Sequence, residues 1–294
     1  MQHYHKKFDL YAIFSVIMAH PLPPTTNSEA GQSSRNWLGM KSDGRRQGIM
    51  DFLMDAGTAS VDDLASRFGV SKMTVHRDLD ELEQSGFLRK VRGGASIQPS
   101  GLFESDFRYR QKQAGEEKQR LAAAAVAMIE PGQTVIIDDG STAGGIARHL
   151  ADLRPLTVIS NNLAVIQDLA GVGGITLIAL GGQYSKKFHG FFGLLAEDTL
   201  RSLRADAAFL SSSAIHGVSA FHQDQEVVHT KRLMMAAAAR KYLLVDHGKF
   251  GRTALHFLTD LEAFDAVFTG RELEPQMREA LDGAGVSLTI VEKD

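Results

Sequence analysis

The stretch of sequence that decides the fold of the N-terminal part is residues 64–82, LASRFGVSKMTVHRDLDEL. Apolar residues recur at helical spacing on both sides of Gly69 and Ser71, which are a favourable helix C-terminus and a favourable helix N-cap. The apolar positions are Leu64, Ala65 and Phe68 in the first helix and Val75, Leu79 and Leu82 in the second. Two short helices joined by a turn that contains glycine are typical of a helix-turn-helix.

The residues upstream extend this motif. An apolar face at Ile49, Phe52 and Leu53 predicts a preceding helix. Ser60 stands three residues before Asp63, a capping-box arrangement that predicts the start of the next helix. The sequence therefore predicts three helices, the last two of which form the helix-turn-helix.

Basic residues gather where such a motif contacts DNA. The first residues of the second motif helix face the major groove. A strand over Phe87–Val91 followed by Gly93-Gly94 predicts a hairpin wing that touches the DNA backbone. We predict that the DNA contacts come from these two places, through Ser71, Lys72, Thr74, His76, Arg77, Arg89, Lys90 and Arg92.

A three-helix bundle with solvated charges is the alternative interpretation of residues 40–98, which carry nine Lys and Arg and nine Asp and Glu. The acidic residues, however, fall mainly on the second helix and on the later part of the third. The basic residues gather at the start of the third helix and in the wing. This asymmetry favours a DNA-binding domain over residues 40–98.

Residues 49–95 resemble the DNA-binding domain of the DeoR-type bacterial transcription regulators. The matching residues are Leu64-Ala65, Phe68-Gly69-Val70-Ser71, Thr74-Val75, Arg77-Asp78-Leu79, Leu82-Glu83, Gly86 and Gly93-Gly94-Ala95. The resemblance implies a winged helix-turn-helix that binds a double-stranded DNA operator. His76 and Arg92 depart from the family pattern, which usually has Arg and His at those positions.

The C-terminal part, residues 116–294, alternates predicted strands and helices, which indicates a mostly parallel α/β sheet. A polar stretch over residues 99–115 predicts a linker between the two domains, with Arg110 as a candidate anchor to one of them. The alanine-rich composition predicts a helix from Glu116 to Ile129, and a further helix is predicted over Val227–Lys241.

A strand over Thr134–Ile137, a Gly-Ser-Thr loop and a helix over Ile146–Leu153 follow one another in this part. Such a junction directs backbone N–H groups and the helix dipole at one point and can bind an anion, although the same loop is often only a turn with an N-cap. Ligands gather at the C-terminal ends of parallel strands. Glycine or polar groups follow five predicted strands, those that end at Ile137, Ser160, Leu180, Leu210 and Val245.

This part also resembles the sugar-phosphate sensor domain of the DeoR-type regulators, which is similar to sugar-phosphate isomerases. The matches include Glu117-Lys118, Asp138 with Gly140-Ser141-Thr142, Ser160-Asn161, Gly181-Gly182, Gly193, Lys231-Arg232 and Asp246 with Lys249-Phe250. The resemblance implies that the Gly140–Thr142 loop holds a phosphate. It implies hydroxyl contacts from Asp138, Asn161 and Asp246 and cationic contacts from Lys231 and Lys249. It also implies that Gly181 and Gly182 belong to the effector site. The run Ser211-Ser212-Ser213 departs from the family, which usually has glycine there, and could reshape the pocket.

The composition limits the function further. The chain has 294 residues, 44% of them apolar, and a net charge of −3, which allows a small DNA-binding domain joined to a near-neutral one. It has no cysteine, which excludes disulfides, thiolate metal sites and a cysteine nucleophile and fits a reducing cytoplasm. We predict no cofactor and no metal.

The first 39 residues differ from the rest. Lys6 and Lys7 precede an apolar run from Leu10 to Ala19, which resembles a secretory signal but is too short to cross a bilayer. We expect residues 1–39 to form a leader outside the fold, with Met40 as a candidate start, and we expect no membrane partner.

The favoured hypothesis is a transcription regulator, most simply a repressor of carbohydrate genes, whose DNA affinity responds to a phosphorylated sugar. Palindromic operators require at least a dimer, so we expect a homo-oligomer, a dimer or a tetramer. The alternative is a sugar-phosphate isomerase or deaminase with a fused DNA-binding domain, for which Asp138, Asp246 and His247 are candidate bases. A protein-interaction module is a third possibility.

Overall fold

The computed structural model describes residues 42–98 and 106–293. The expected leader, residues 1–39, lies outside the described residues, as does the first part of the expected linker. The described residues all fall within one compact unit. No helix in the described ranges combines the length and the apolar character that crossing a membrane requires.

The N-terminal domain, residues 42–98, is a winged helix-turn-helix. Its elements are α1 (Ser42–Ala56), β1 (Thr58–Ser60), α2 (Val61–Phe68), α3 (Lys72–Gln84), β2 (Arg89–Val91) and β3 (Gly94–Ser96). Strands β2 and β3 form the predicted hairpin, with Val91 opposite Gly94, and β1 pairs with the other edge of β3. The strand predicted over Phe87–Val91 is shorter in the structure, where it covers only Arg89–Val91. Strand β1 was not predicted from the sequence.

Local hydrogen bonds fix the ends of the motif helices, as the sequence predicts. The Ser60 Oγ accepts from the Asp63 N–H at 3.0 Å, and the Ser71 Oγ accepts from the Thr74 N–H at 3.2 Å. Gly69 ends α2 in the left-handed conformation, with φ of +64°. That conformation strains any residue with a Cβ, which explains the glycine in the turn.

The core of this domain joins the apolar faces of the three helices to the wing. Its fully buried members include Ile49, Leu53, Leu64, Val75 and Leu79, the positions that helical periodicity predicts. Beneath the helices, Arg45 on α1 forms an ion pair with the buried Asp78 on α3 at 2.5 Å. The pair fixes the orientation of α3 against α1.

The C-terminal α/β domain, residues 115–293, confirms the predicted fold class. Its seven-stranded sheet is parallel throughout, in the order β15-β14-β12-β9-β4-β5-β6. The strands are β4 (Thr134–Ile137), β5 (Leu156–Ser160), β6 (Ile175–Ala179), β9 (Ala205–Leu210), β12 (Ala238–Leu244), β14 (Ala266–Gly270) and β15 (Leu288–Val291).

Helices cover both faces of this sheet. They are α5 (Gly115–Val126), a 3₁₀ helix (Ala143–Asp152), α6 (Leu163–Leu169), α7 (Leu194–Ser202), α8 (Gln225–Ala237) and α9 (Pro275–Gly283). Alternate residues of the strands belong to different cores: Ile136 packs in one cluster, whereas Val135 and Ile137 pack in the other. Burial of both faces accounts for the near-continuous apolar strands.

Two antiparallel additions had not been predicted. The hairpin of β7 (Gln183–Ser185) and β8 (Gly190–Phe192) follows β6. A three-stranded sheet joins β10 (Ala214–His216), β11 (Ser219–His222) and β13 (His256–Asp260). Both additions lie in the chain directly after strands of the parallel sheet.

Three predicted boundaries were wrong. The helix over Val227–Lys241 ends at Ala237, because Ala238–Leu244 pairs as a parallel strand with β9. Alanine favours a helix, and the sheet contacts override that local preference. The helix from Glu116 begins at Gly115 and ends at Val126, after which single-turn bonds run to Ile129.

The third correction concerns the linker over residues 99–115. Its described part contains a helix, α4 (Phe107–Lys112), which begins at the N-cap Asp106. The Asp106 carboxylate accepts from the Arg108 N–H at 2.9 Å. Phe107 and Tyr109 are buried, so this segment is packed structure and not a solvated tether.

Candidate DNA-contacting surface and effector cavity

The start of α3 presents the predicted DNA-contacting side chains to solvent. Ser71, Lys72, His76 and Arg77 are exposed and Thr74 is half-buried. The Lys72 Nζ lies 2.6 Å from Asp62 Oδ1 in a fully solvated ion pair, which phosphate could replace at little cost. This surface has the position and the donors that a recognition helix needs.

Sequence reasoning missed one member of this surface, Met73. Its side chain is 66% exposed between Lys72 and Thr74. An exposed apolar side chain in a recognition helix can contact a thymine methyl group. In the sequence, the signal for Met73 was a single apolar residue among polar neighbours at the start of this helix.

The wing supplies a more mixed surface. Arg92 is exposed at its tip, and Arg89 is half-buried. Lys90 lies 2.5 Å from Asp80 on α3, and the hydrogen bond to this carboxylate raises the pKa of the lysine. The Lys90 charge is therefore already paired within the domain, unlike that of Arg92.

Two adjacent cavities open at the C-terminal ends of the parallel strands. The larger has a volume of about 720 Å³, and its walls include Tyr109, Arg110, Lys118, Gln223, Asp246, His247, Lys249 and Arg252. The smaller has a volume of about 10 Å³, room for about one water. Its walls are Arg110, Asp139, Ser141, Thr142, Ser211, Ser212, Ser213, His222, Lys231 and Lys249. Arg110, Ser213 and Lys249 line both cavities.

A buried triad of Asp138, Asp139 and Lys231 adjoins the smaller cavity, which Asp139 and Lys231 line. The Lys231 Nζ donates to the Asp138 carboxylate and lies 3.0 Å from Asp139 Oδ1. No member is more than 2% exposed at its side chain. Burial lowers the pKa of Lys231, because it disfavours the charged ammonium. The charges of the two neighbouring carboxylates raise it by more, so the pKa of the lysine is raised overall.

The two carboxylates of the triad differ. Burial, with the neighbouring charge of Asp139, raises the pKa of Asp138 above its ordinary value. Burial also acts on Asp139, but the charges of Lys231 and Arg110 prevail and the pKa of Asp139 is lowered. Of the two carboxylates, Asp139 is the one on the wall of the smaller cavity.

Asp138 also organises the loop above it. Its carboxylate accepts from the Ser211 N–H at 2.7 Å and from the Gly140 N–H at 2.8 Å. A Cβ at Gly140 would lie 1.6 Å from the Ser211 Oγ, so this close approach requires glycine. Asp138 thereby holds the Gly140–Thr142 loop against the end of β9.

The residues that the family resemblance assigned to the effector site fall into two groups in the structure, those that line the cavities and those that do not. Ser141, Thr142, Lys231, Asp246 and Lys249 line the cavities. The others lie behind the walls or away from them: Asp138, Gly140, Asn161, Gly181 and Gly182.

Asn161 and Gly182 illustrate the second group. The Asn161 side chain donates to the Phe191 carbonyl at 3.1 Å, and its buried Oδ1 has no hydrogen-bond partner among the described residues. Gly182 has φ of +129°, and a Cβ there would lie 2.2 Å from the Phe192 carbonyl oxygen. Gly182 therefore allows strand β8 to lie close to the backbone at this position.

Sequence reasoning also missed cavity residues. Arg110 comes from the segment expected to be a linker, and His222 comes from the unpredicted sheet. Lys118 on α5 lies 3.8 Å from Asp246 and 3.4 Å from the Ser141 Oγ. Lys118 carried a signal through the matching pair Glu117-Lys118, and Arg110 was expected only as an anchor of the linker to one domain.

Comparison with known proteins identifies both domains. Residues 45–100 match the DeoR-like helix-turn-helix domain, and residues 113–271 match the DeoR C-terminal sensor domain. Among solved structures, a ribose 5-phosphate isomerase from Methanocaldococcus jannaschii aligns with 46% of this chain and 54% of its own, at 17% identity and a TM-score of 0.35. That likeness is too weak to bear on function.

Curated relatives match along nearly their whole length. An uncharacterized HTH-type transcriptional regulator, YgbI of Escherichia coli (strain K12), is 30% identical over 85% of this chain and 98% of its own. A putative aga operon transcriptional repressor of Escherichia coli O157:H7 is 31% identical over 84% and 93%. The glycerol-3-phosphate regulon repressor of Escherichia coli (strain K12) is 31% identical over 78% and 91%. The chain belongs to the DeoR family of DNA-binding transcription regulators.

Proposed function

We propose that this regulator is a repressor of carbohydrate genes whose operator affinity is set by a phosphorylated sugar bound at the strand ends. The observation that carries the proposal is the placement of Ser141, Thr142 and Lys249 on cavity walls beside the buried triad. Two of the relatives described above are named as repressors, one of a glycerol-3-phosphate regulon.

The chemistry of the walls suits such a ligand. The Gly140–Thr142 loop precedes a helix, and its hydroxyls with the Lys249 ammonium group favour a phosphate. Lys231 on the same wall is paired with Asp138 and Asp139 and contributes by offsetting their charge. Asp246 and Gln223 on the larger cavity can bond sugar hydroxyls, and about 720 Å³ is ample for a hexose. Asp138, enclosed by its partners, acts by positioning Lys231 and the loop, a role different from the direct contact first expected.

The DNA side of the proposal rests on the exposed start of α3 and the wing. Phosphate contacts from Arg77, Lys72 and Arg92 would orient the domain, and His76, Thr74 and Ser71 would reach base edges. Operators with two-fold symmetry require at least two copies of this domain, so the active form is a homo-oligomer.

A thermal-shift screen tests the effector part. Purified protein is heated with glucose 6-phosphate, fructose 6-phosphate, fructose 1-phosphate, ribose 5-phosphate, glycerol 3-phosphate and the unphosphorylated sugars. A ligand of the folded state at about 100 times its Kd should raise the Tm by about 5 °C or more. At least one phosphorylated compound should do so and its unphosphorylated sugar should not; equal shifts from both would contradict a phosphate site.

The same compounds test the enzyme alternative. A general base must reach the reacting carbon. The carboxylate of Asp138 is enclosed, and that of Asp246 is buried and lies 3.8 Å from the Lys118 ammonium. His247, the third candidate, lines the larger cavity with its Nδ1 2.7 Å from Glu117 Oε2, so any turnover would depend on this imidazole. We expect binding without turnover, measured by following each compound over hours; conversion to the isomeric sugar phosphate would overturn the pure-sensor proposal.

A further inference from the structure

Helix α4, Phe107–Lys112, lies in the chain between the two segments that match the family, residues 45–100 and 113–271. It is short, yet its side chains contact both domains. Tyr109 and Arg110 are adjacent in the sequence and both are buried, one against the winged helix and the other in the effector cavity.

On the sensor side, Arg110 occupies the junction of the two cavities. Its guanidinium lies 5.5 Å from the Phe107 ring and 5.9 Å from the Phe188 ring, and it faces the walls that hold Ser141 and Lys249. An arginine held among aromatic rings presents a planar fork of donors that matches phosphate oxygens. The Arg110 carbonyl also accepts from the Lys118 Nζ, which is 3.4 Å from the Ser141 Oγ.

On the DNA-binding side, the same helix is fixed to the winged helix. Tyr109 packs in the core of that domain, and its hydroxyl would lie 3.5 Å from a Cβ at Gly57. Lys112 bonds Asp55 on α1 at 2.7 Å. The first residue of α4 is tied to the sensor, because the Phe107 N–H donates to the Lys187 carbonyl at 2.9 Å.

The smaller cavity is too small for a phosphate as it stands, and this connects the two sets of contacts. At about 10 Å³ it takes about one water, so a phosphate at the Ser141–Thr142 loop needs a wall to move. The loop is bonded to Asp138, and Lys231 is locked in the triad. Of the remaining wall residues, Arg110 is the one that stands on a short helix also packed against the winged helix, and its guanidinium carries donors for phosphate oxygens.

We propose that Arg110 is a phosphate ligand of the effector site and that its adjustment on binding moves α4, which carries the signal to the winged helix. This inference rests on the proposed function, since it deepens the same site. Effector and DNA then change each other's affinity by one factor, through one six-residue helix.

The test compares Arg110→Gln, Arg110→Lys and Arg108→Gln with the unaltered full chain. Arg108 is the matched control, an exposed arginine two residues away on the same helix, which pairs with the N-cap Asp106 at 3.1 Å and lines neither cavity. The urea denaturation of Arg108→Gln is measured beside the binding, because the substitution removes this ion pair. The probes are inorganic phosphate, ribose 5-phosphate, glucose 6-phosphate, fructose 6-phosphate and fructose 1-phosphate, measured by calorimetry. DNA affinity is measured by mobility shift on sites selected from a random pool, with and without each probe.

We expect Arg110→Gln to weaken binding of the probes about tenfold or more and Arg108→Gln to leave it unchanged. Arg110→Lys should lie between them, because an ammonium keeps the charge and loses the fork. It also separates loss of a ligand from loss of folding. The change in DNA affinity that a probe causes should be largest in Arg108→Gln, smaller in Arg110→Lys and smallest in Arg110→Gln.

Three results would overturn the inference, and they differ from one another. Equal probe affinity in Arg110→Gln and the unaltered chain removes Arg110 from the site and leaves the proposed function standing. Weakened probe affinity with an unchanged DNA response at saturation removes α4 as the coupling element. No binding of any phosphorylated probe to the unaltered chain contradicts the proposed function itself.

Discussion

The DNA-contacting surface and the buried triad use the same charged residue types in opposite ways. Lys72 and Arg77 stand in solvent, where ion pairs are weak and easily exchanged for a ligand. Lys231 is enclosed between Asp138 and Asp139, where losing one partner leaves a buried charge unpaired. Charges on the first surface are therefore available to a partner, whereas those of the triad hold the fold of the site.

The comparison predicts the largest effect at the triad. Lys231→Met leaves two buried carboxylates without their cation and should lower the free energy of unfolding by about 3–5 kcal/mol, or prevent folding of the sensor domain. Lys249→Met, a half-buried lysine on the same cavity, is the control and should cost less than about 1 kcal/mol. Urea denaturation followed by circular dichroism measures both; similar costs would break the comparison.

The next effect concerns the exposed surface. Arg77→Ala should reduce DNA affinity by about 1–3 kcal/mol, roughly 5- to 150-fold, because it removes a charged donor from the start of α3. Mobility shifts on selected DNA measure the loss. Unfolding in urea should change by less than about 0.5 kcal/mol, since no packing is lost. DNA affinity that stays the same would remove this surface from the interface.

Lys249→Ala tests the other binding site. We expect about a tenfold loss of affinity for the phosphorylated sugar that raises the Tm, because a charged hydrogen bond is worth about 1.5 kcal/mol or more. The two substitutions together sharpen the comparison. Lys249→Ala should lower the affinity for the sugar phosphate at least several times more than the affinity for DNA, and Arg77→Ala should do the reverse. Calorimetry showing the same sugar-phosphate affinity as the unaltered chain would exclude Lys249 from the site.

The smallest effect is expected at a helix cap. Ser71→Ala removes the oxygen that accepts from the Thr74 N–H and should cost about 1 kcal/mol. Ser66→Ala, on the exposed face of α2, is the control and should change stability by less than about 0.5 kcal/mol. Thermal unfolding of the two variants distinguishes a cap from a surface serine.

How far each region could be predicted from the sequence follows from the range of its contacts. Ser60 caps the Asp63 N–H three residues away, and Val91 faces Gly94 across a tight hairpin, so local patterns sufficed for the winged helix. Lys231 meets Asp138 across 93 residues, a pairing that local pattern does not encode. The family resemblance placed both residues at the site and assigned them direct ligand contacts, without the internal pairing.

Two further elements show the same limit. Ala238–Lys241 favours a helix locally and becomes a strand because β9 lies beside it. Residues 107–112 were expected to be part of a polar linker, and they form a helix that Asp106 caps locally and that the burial of Tyr109 in the winged-helix core holds in place. In both cases a contact that is distant in the chain contributes to the conformation. Tyr109 and Arg110 line the larger cavity from the second segment, and local pattern did not place them there.

The most direct test of ligand-controlled DNA binding is a mobility-shift titration of selected DNA across the panel of sugar phosphates. At saturation, at least one compound should change the Kd for DNA by about fivefold or more, and saturating DNA should change the Kd for that compound by the same factor. A compound that binds the cavity and leaves the DNA affinity unchanged, or a panel in which none alters it, would contradict the account.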